Sequence, residues 1–112
     1  MTMNQDIQTI AEVIRQAVPA DKIYLFGSYA YGTPHAHSDY DFYIIIPEDS
    51  MRPIEAMQKA YRALYPLDDI PAVDVVASTQ KSFDVMQNRV NTIEKDVAQK
   101  GVLLYERYGV GS

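Results

Sequence analysis

No cysteine occurs anywhere in the 112-residue sequence, which excludes disulfide frameworks, thiolate zinc sites and a cysteine nucleophile. Basic residues are few: ten Lys and Arg stand against fifteen Asp and Glu, a formal charge of −5 and an isoelectric point near 4.8. That sign argues against free nucleic acid as a partner, because a binder of the phosphate backbone gains its affinity from cations. No apolar run approaches the length of a membrane span, and Met1-Thr2-Met3-Asn4-Gln5-Asp6 has neither the basic nor the apolar segment of a secretory leader. The expectation is a cytoplasmic protein with no membrane contact. Repeats and low-complexity tracts are also missing.

What is present is globular: 47% hydrophobic and 22% charged residues in a length that suits one domain, 1–112, able to bury about two-thirds of its extended surface. Between Ile23 and Met51 there is no Lys or Arg, whereas Asp39, Asp41, Glu48 and Asp49 all fall there. Phosphate handled by this stretch needs cations from elsewhere.

Periodicity supplies the elements. Ile7, Ile10, Ala11, Ile14, Ala17 and Val18 form the stripe of an amphipathic helix that Pro19 ends. Lys22–Phe26 and Tyr40–Ile46 read as strands, the first halted by Gly27-Ser28 and the second by Pro47. Ser50 or Asp49 is the candidate cap of a helix with Pro53 in its first turn and Ile54, Met57, Tyr61 and Leu64 on one face. Val73–Ala77 reads as a third strand. Phe83, Met86, Val90, Ile93 and Val97 predict one long helix, capped by Ser82 and closed by Gly101, before a last strand over Val102–Tyr105. The expected class is α/β (α+β), order α-β-α-β-α-β, with a small mixed sheet of about four strands packed with helices.

Three clusters carry chemistry. Gly27 lets a ligand approach the backbone, and Ser28 adds a hydroxyl and an N–H, which together suit a phosphate, although a Gly-Ser turn is also an ordinary chain reversal. No Gly-Lys-Ser/Thr follows, so this is not a Walker loop. Asp39 and Asp41, two apart at the opening of a strand, project from one face; side by side they repel, and a divalent cation removes that cost. An isolated Asp-x-Asp is often a solvated strand edge, but the five apolar residues Phe42–Ile46 put this one on a buried strand. Asp74, flanked by Val73, Val75 and Val76, is expected to pair, bind metal or titrate abnormally. If its strand lies beside that of Asp39 and Asp41, three carboxylates converge. His35 and His37 sit in a Pro- and Ala-containing loop and read as polar surface.

Gly27-Ser28, ten residues, Asp39-Tyr40-Asp41-Phe42 and a later strand bearing Asp74 resemble the signature of the DNA polymerase β-like nucleotidyltransferase superfamily. Leu25 to Pro34 together with Ser38 to Asp41 is similar to the small prokaryotic minimal nucleotidyltransferases, as is the closing Gly101 to Glu106. The resemblance implies that Asp39, Asp41 and Asp74 hold Mg²⁺ or Mn²⁺ and carry the catalysis, with Asp74 helping to deprotonate the attacking hydroxyl. It implies that Gly27 and Ser28 bind the phosphates of a nucleoside triphosphate, ATP being expected, and that a nucleoside monophosphate is transferred with release of pyrophosphate. Many relatives place Arg where Tyr31 stands, so a phosphate-facing guanidinium is missing. The chain is too short for an acceptor-binding domain, and the resemblance implies an antitoxin that modifies a HEPN-type toxin in a hetero-oligomer. The competing expectation is an inactive module of the same fold that neutralises its partner sterically. A glycosyltransferase is generally about twice as long, and a haloacid-dehalogenase phosphatase would follow Asp-x-Asp with Gly-Thr where Phe42-Tyr43 stands; neither fits.

Overall fold

The computed structural model describes residues 5–32, 39–68 and 70–107. Its elements run α1 (Gln5–Ala17), β1 (Lys22–Phe26), α2 (Ser28–Tyr31), β2 (Tyr40–Ile46), α3 (Pro53–Leu64), β3 (Val73–Thr79), α4 (Gln80–Met86), α5 (Ile93–Lys100) and β4 (Val102–Glu106). This is longer than α-β-α-β-α-β, which runs the strands Lys22–Phe26 and Tyr40–Ile46 together: the short α2 stands between them, and the last helix is divided. The four strands form one mixed sheet in the order β3-β2-β1-β4. β1 is antiparallel to both β2 and β4, while β2 and β3 are parallel and joined through α3, as a parallel pair requires.

Both faces of the sheet are covered, which is why β2 is apolar in an unbroken run after Asp41 and lies buried from Phe42 to Ile46. On one face, Ile7, Ile10 and Ile14 of α1 and Ala56 and Ala60 of α3 pack on Ile23, Leu25, Phe42, Ile44 and Ile46. The two alanines bring α3 close to the sheet. On the other, Phe83 of α4 and Val97 of α5 pack on Tyr43 and Ile45, with Tyr24, Phe26 and Val76 around them. The hydroxyl of Tyr43, fully buried, donates to Glu94 Oε2 (2.6 Å) and lies 2.8 Å from Ser78 Oγ, tying α5 to the middle of the sheet.

The caps differ from those expected. Arg52, not Ser50 or Asp49, precedes α3 with Pro53 at its first position, and Glu55 reaches back to the Arg52 amide (3.4 Å); Ser50 instead donates to the Pro47 carbonyl (2.8 Å) in the turn after β2. Thr79, not Ser82, caps α4 by accepting the Ser82 N–H (3.3 Å).

The single long helix expected from Phe83 to Val97 is broken over residues 87–92. The helical spacing persists, but only the ends of the stripe pack on the second face of the sheet. Val90 is therefore 77% exposed and Ile93 45%, while Phe83 and Val97 are buried. Asn91 turns the chain at φ +64, a conformation asparagine tolerates better than most residues. Thr92 then restarts the helix: its hydroxyl accepts the Lys95 N–H (3.1 Å) and donates to the Met86 carbonyl (2.8 Å). Replacing Thr92 with Ala removes both bonds and is expected to cost about 1–2 kcal/mol, read as a lower midpoint in urea with an unchanged slope.

Candidate active site

The end of the sheet where β1 stops and β2 begins collects the charged cluster. Asp41, the second residue of β2, pairs across the antiparallel ladder with Phe26, the last residue of β1, and across the parallel ladder with Asp74 of β3. Paired residues share a face, so Asp41 and Asp74 both project toward the side covered by α4 and α5, and Asp39, two residues before Asp41, has the same sense. The register is held at its start by the Tyr40 N–H donating to the Ala72 carbonyl (2.9 Å). Asp41 and Asp74 thus lie side by side on neighbouring strands, and the charge of Asp39 reaches Asp41 as well.

Their surroundings differ. Asp41 is half-buried, and its carboxyl is pushed from 3.8 up to about 6, first by loss of water and then by the charges of Asp74 and Asp39. Asp74 and Asp39 are exposed. For Asp74 this corrects the picture of a charge locked in apolar surroundings: it stands near the start of an edge strand, so solvent reaches it despite its valine neighbours. Among the described residues no Lys or Arg forms an ion pair with any of the three.

Gly27 follows β1 directly and is fixed as glycine twice over. Its φ is +78, and a Cβ there would lie 2.1 Å from Oδ2 of Asp41. The backbone therefore passes against the carboxylate with no side chain between them. The Gly27 carbonyl accepts the N–H groups of Ala30 and Tyr31 (both 3.1 Å), curling residues 28–31 into a single turn, and Tyr29 anchors that turn on Tyr40 with ring centroids 4.5 Å apart. The Ser28 hydroxyl has no hydrogen-bond partner among the described residues. Tyr31 sits at the edge of the cluster: burial and the charges of Asp96 and Asp41 raise its hydroxyl's pKa, opposed by a hydrogen bond from the Gly27 backbone.

The residues expected from the sequence, Gly27, Ser28, Asp39, Asp41 and Asp74, accordingly lie at one end of the sheet. His35 and His37 lie outside the described residues. The approach of Lys100 on α5 to the ring of Tyr31, 5.6 Å from the centroid, had no local signal in the sequence. A surface cleft of about 200 Å³ between α1 and β4, lined by Glu12, Arg15 and Tyr105 among others, is at the opposite end of β1, since Tyr105 pairs with Ile23. Its Arg15 is already paired with Glu12.

The donor set suits a hard divalent ion. Among the described residues no three acidic or histidine side chains close into a ready-made cage, but Mg²⁺ commonly takes one or two carboxylates and completes its shell with water and substrate phosphates. A carboxyl forced up first by loss of water and then by two like charges, with no Lys or Arg paired to it among the described residues, is the arrangement such an ion relieves.

A family model of polymerase beta nucleotidyltransferases matches residues 8–108. The chain belongs to the polymerase beta nucleotidyltransferase family. Among solved structures, it is similar to a toxin-antitoxin complex with AMP-PNP at 28% identity and a TM-score of 0.59, over 93% of this chain and 74% of that one. A nucleotidyltransferase candidate from Sulfolobus solfataricus shares the fold at 22% identity and a TM-score of 0.62, over 93% and 80%. So does a tri-AMPylated Shewanella oneidensis HEPN toxin in complex with MNT antitoxin, at 24% and 0.52, over 94% and 75%. Among curated proteins no sequence matches. Within the described residues of this nucleotidyltransferase-family chain, no helix is long and apolar enough to cross a membrane.

The raised Asp41 carboxyl fixes a pH dependence. The folded chain holds a proton there that the unfolded chain releases between its ordinary value of 3.8 and about 6, so this group's contribution to stability falls as pH rises through that window. In metal-free buffer Asp41→Asn is expected to melt a few degrees above the natural chain at pH 7 and level with it near pH 4, measured by circular dichroism. Equal melting at both pH values would contradict the raised value.

Proposed function

We propose that this chain transfers a nucleoside monophosphate, AMP from ATP, to a hydroxyl group on a protein partner, and that the partner is a HEPN-type toxin for which the chain is the antitoxin. The observation that carries the reading is the convergence of Asp39, Asp41 and Asp74 beside Gly27-Ser28 in a chain of this family. The likeness to a toxin-antitoxin complex with AMP-PNP supports the nucleotide and the kind of partner.

In this reading Asp39 and Asp41 would hold Mg²⁺ or Mn²⁺, with Asp74 completing the set. A bound divalent ion neutralises charge on the oxygens of the transferring phosphoryl group. The chain's own residues position the reactants. The Gly27 backbone, free of a side chain, and the Ser28 hydroxyl and N–H receive the β- and γ-phosphates, which leaves the α-phosphorus near the carboxylate face. Asp74, exposed near the start of the edge strand β3, faces an incoming acceptor and takes the proton from its hydroxyl. The acceptor oxygen then forms a bond to the α-phosphorus, the bond from that phosphorus to the bridging oxygen breaks, and pyrophosphate leaves with the electron pair. Little else is demanded of so small a domain, because this chemistry is mostly alignment and charge neutralisation. The acceptor comes with the partner.

The experiment uses ATP labelled at the α- or the γ-phosphate, mixed with Mg²⁺, the chain and its co-purifying partner. Label is expected on the partner from the α position only, and Asp39→Asn/Asp41→Asn, verified as folded, is expected to lower the transfer rate by about a hundredfold or more. Partner neutralisation that persists undiminished in the folded double variant would instead establish steric inhibition by an inactive fold.

A further inference from the structure

The polyphosphate tail of a nucleotide at Gly27-Ser28 carries several negative charges into a region whose own chain, from Tyr24 to Ser50, contains no Lys or Arg. A Lys from the far end of the sequence lies beside this region. β4 pairs antiparallel with β1, and Val102 stands opposite Leu25. The residues just before β4 therefore run alongside the end of β1, where Gly27 follows. Lys100 closes α5 at that point, and its ammonium lies 5.6 Å from the centroid of the Tyr31 ring, within the range of a cation–π contact. Tyr31 is the last residue of α2, one turn after Ser28, so the two share a side of that turn.

The placement of Lys100 is built by the fold. Gly101 breaks α5 and enters β4 where a Cβ would meet the Val97 carbonyl oxygen at 2.6 Å, so only glycine allows so tight a passage from helix to strand. Val97 is fully buried, and Glu94 of the same helix is held by Tyr43. Among the described residues no carboxylate forms an ion pair with Lys100, so its charge remains available to a ligand.

We propose that Lys100, resting on the Tyr31 ring, supplies the cation to the β- and γ-phosphates held at Gly27-Ser28 and makes the site select triphosphates over monophosphates. This rests on the nucleotidyl-transfer reading and names the chain's own cation for that site. An ammonium on a flexible stem suits the task, because it can follow the pyrophosphate as it departs.

The test is calorimetric titration of Mg²⁺ with ATP, and by competition with AMP, into the natural chain and into Lys100→Ala, Lys100→Arg and the control Lys95→Ala, which removes a charge from the same helix. Lys100→Ala is expected to weaken ATP about tenfold and AMP by less than twofold; Lys100→Arg and Lys95→Ala are expected to stay near the natural value. An unchanged ATP affinity in Lys100→Ala, an equal loss for ATP and AMP, or an equal loss in Lys95→Ala would overturn the assignment. If the natural chain binds ATP and Asp39→Asn/Asp41→Asn does not, such a result overturns Lys100 alone; no ATP binding by the natural chain overturns the nucleotide site and this inference together.

Discussion

The constraint on which the site depends is electrostatic repulsion held in place by a sheet. Asp41 is fixed between two strands, with Asp74 at its side and Asp39 two residues away, and no cation of the chain is paired with them among the described residues. Left to itself a chain would separate these charges. It is prevented from doing so by the buried run Phe42–Ile46, which anchors β2 on both faces, and by the Tyr40–Ala72 bond that sets the register with β3. Part of the apolar burial is thus set against a cluster that destabilises the free protein and that a cationic ligand would relieve. Gly27 belongs to the same arrangement, since any side chain there would strike the Asp41 carboxylate.

Most of this was legible in the sequence where the signal is local. The apolar stripe of α1, the aromatic run of β1 and the length of the buried run in β2 each specify an element, and the two-residue spacing of Asp39 and Asp41 specifies a common face. The sequence could not show which strand lies beside which, yet that decides whether Asp74 is a partner or a bystander. Its exposure was misjudged because valines on either side suggest burial, whereas the burial of a residue near a strand's end is set by the sheet's edge. The division between α4 and α5 was hidden for a related reason: the stripe from Phe83 to Val97 is continuous in sequence, but only its ends are buried against the sheet.

Lys100 shows the complementary case. Nothing near it in the sequence suggests a role, and its position follows from the pairing of the first and last strands, a contact between segments more than seventy residues apart. The acidic balance of the chain takes on a clearer sense in this light. In the proposed reaction, a small family member with net charge −5 would handle an anionic nucleotide through carboxylates suited to a divalent ion and through a cation supplied by the fold. The acceptor, in the proposed reaction, is brought by the partner.

The central claim, that Asp41 is a strained carboxylate awaiting a cation, is tested most directly by following its side-chain carboxyl carbon by NMR across a pH titration, with and without Mg²⁺ and a non-hydrolysable ATP analogue. The account predicts a midpoint near 6 in the free chain and a fall below the ordinary carboxylate value once both are added. A midpoint near 4 in the free chain that neither addition moves would contradict it.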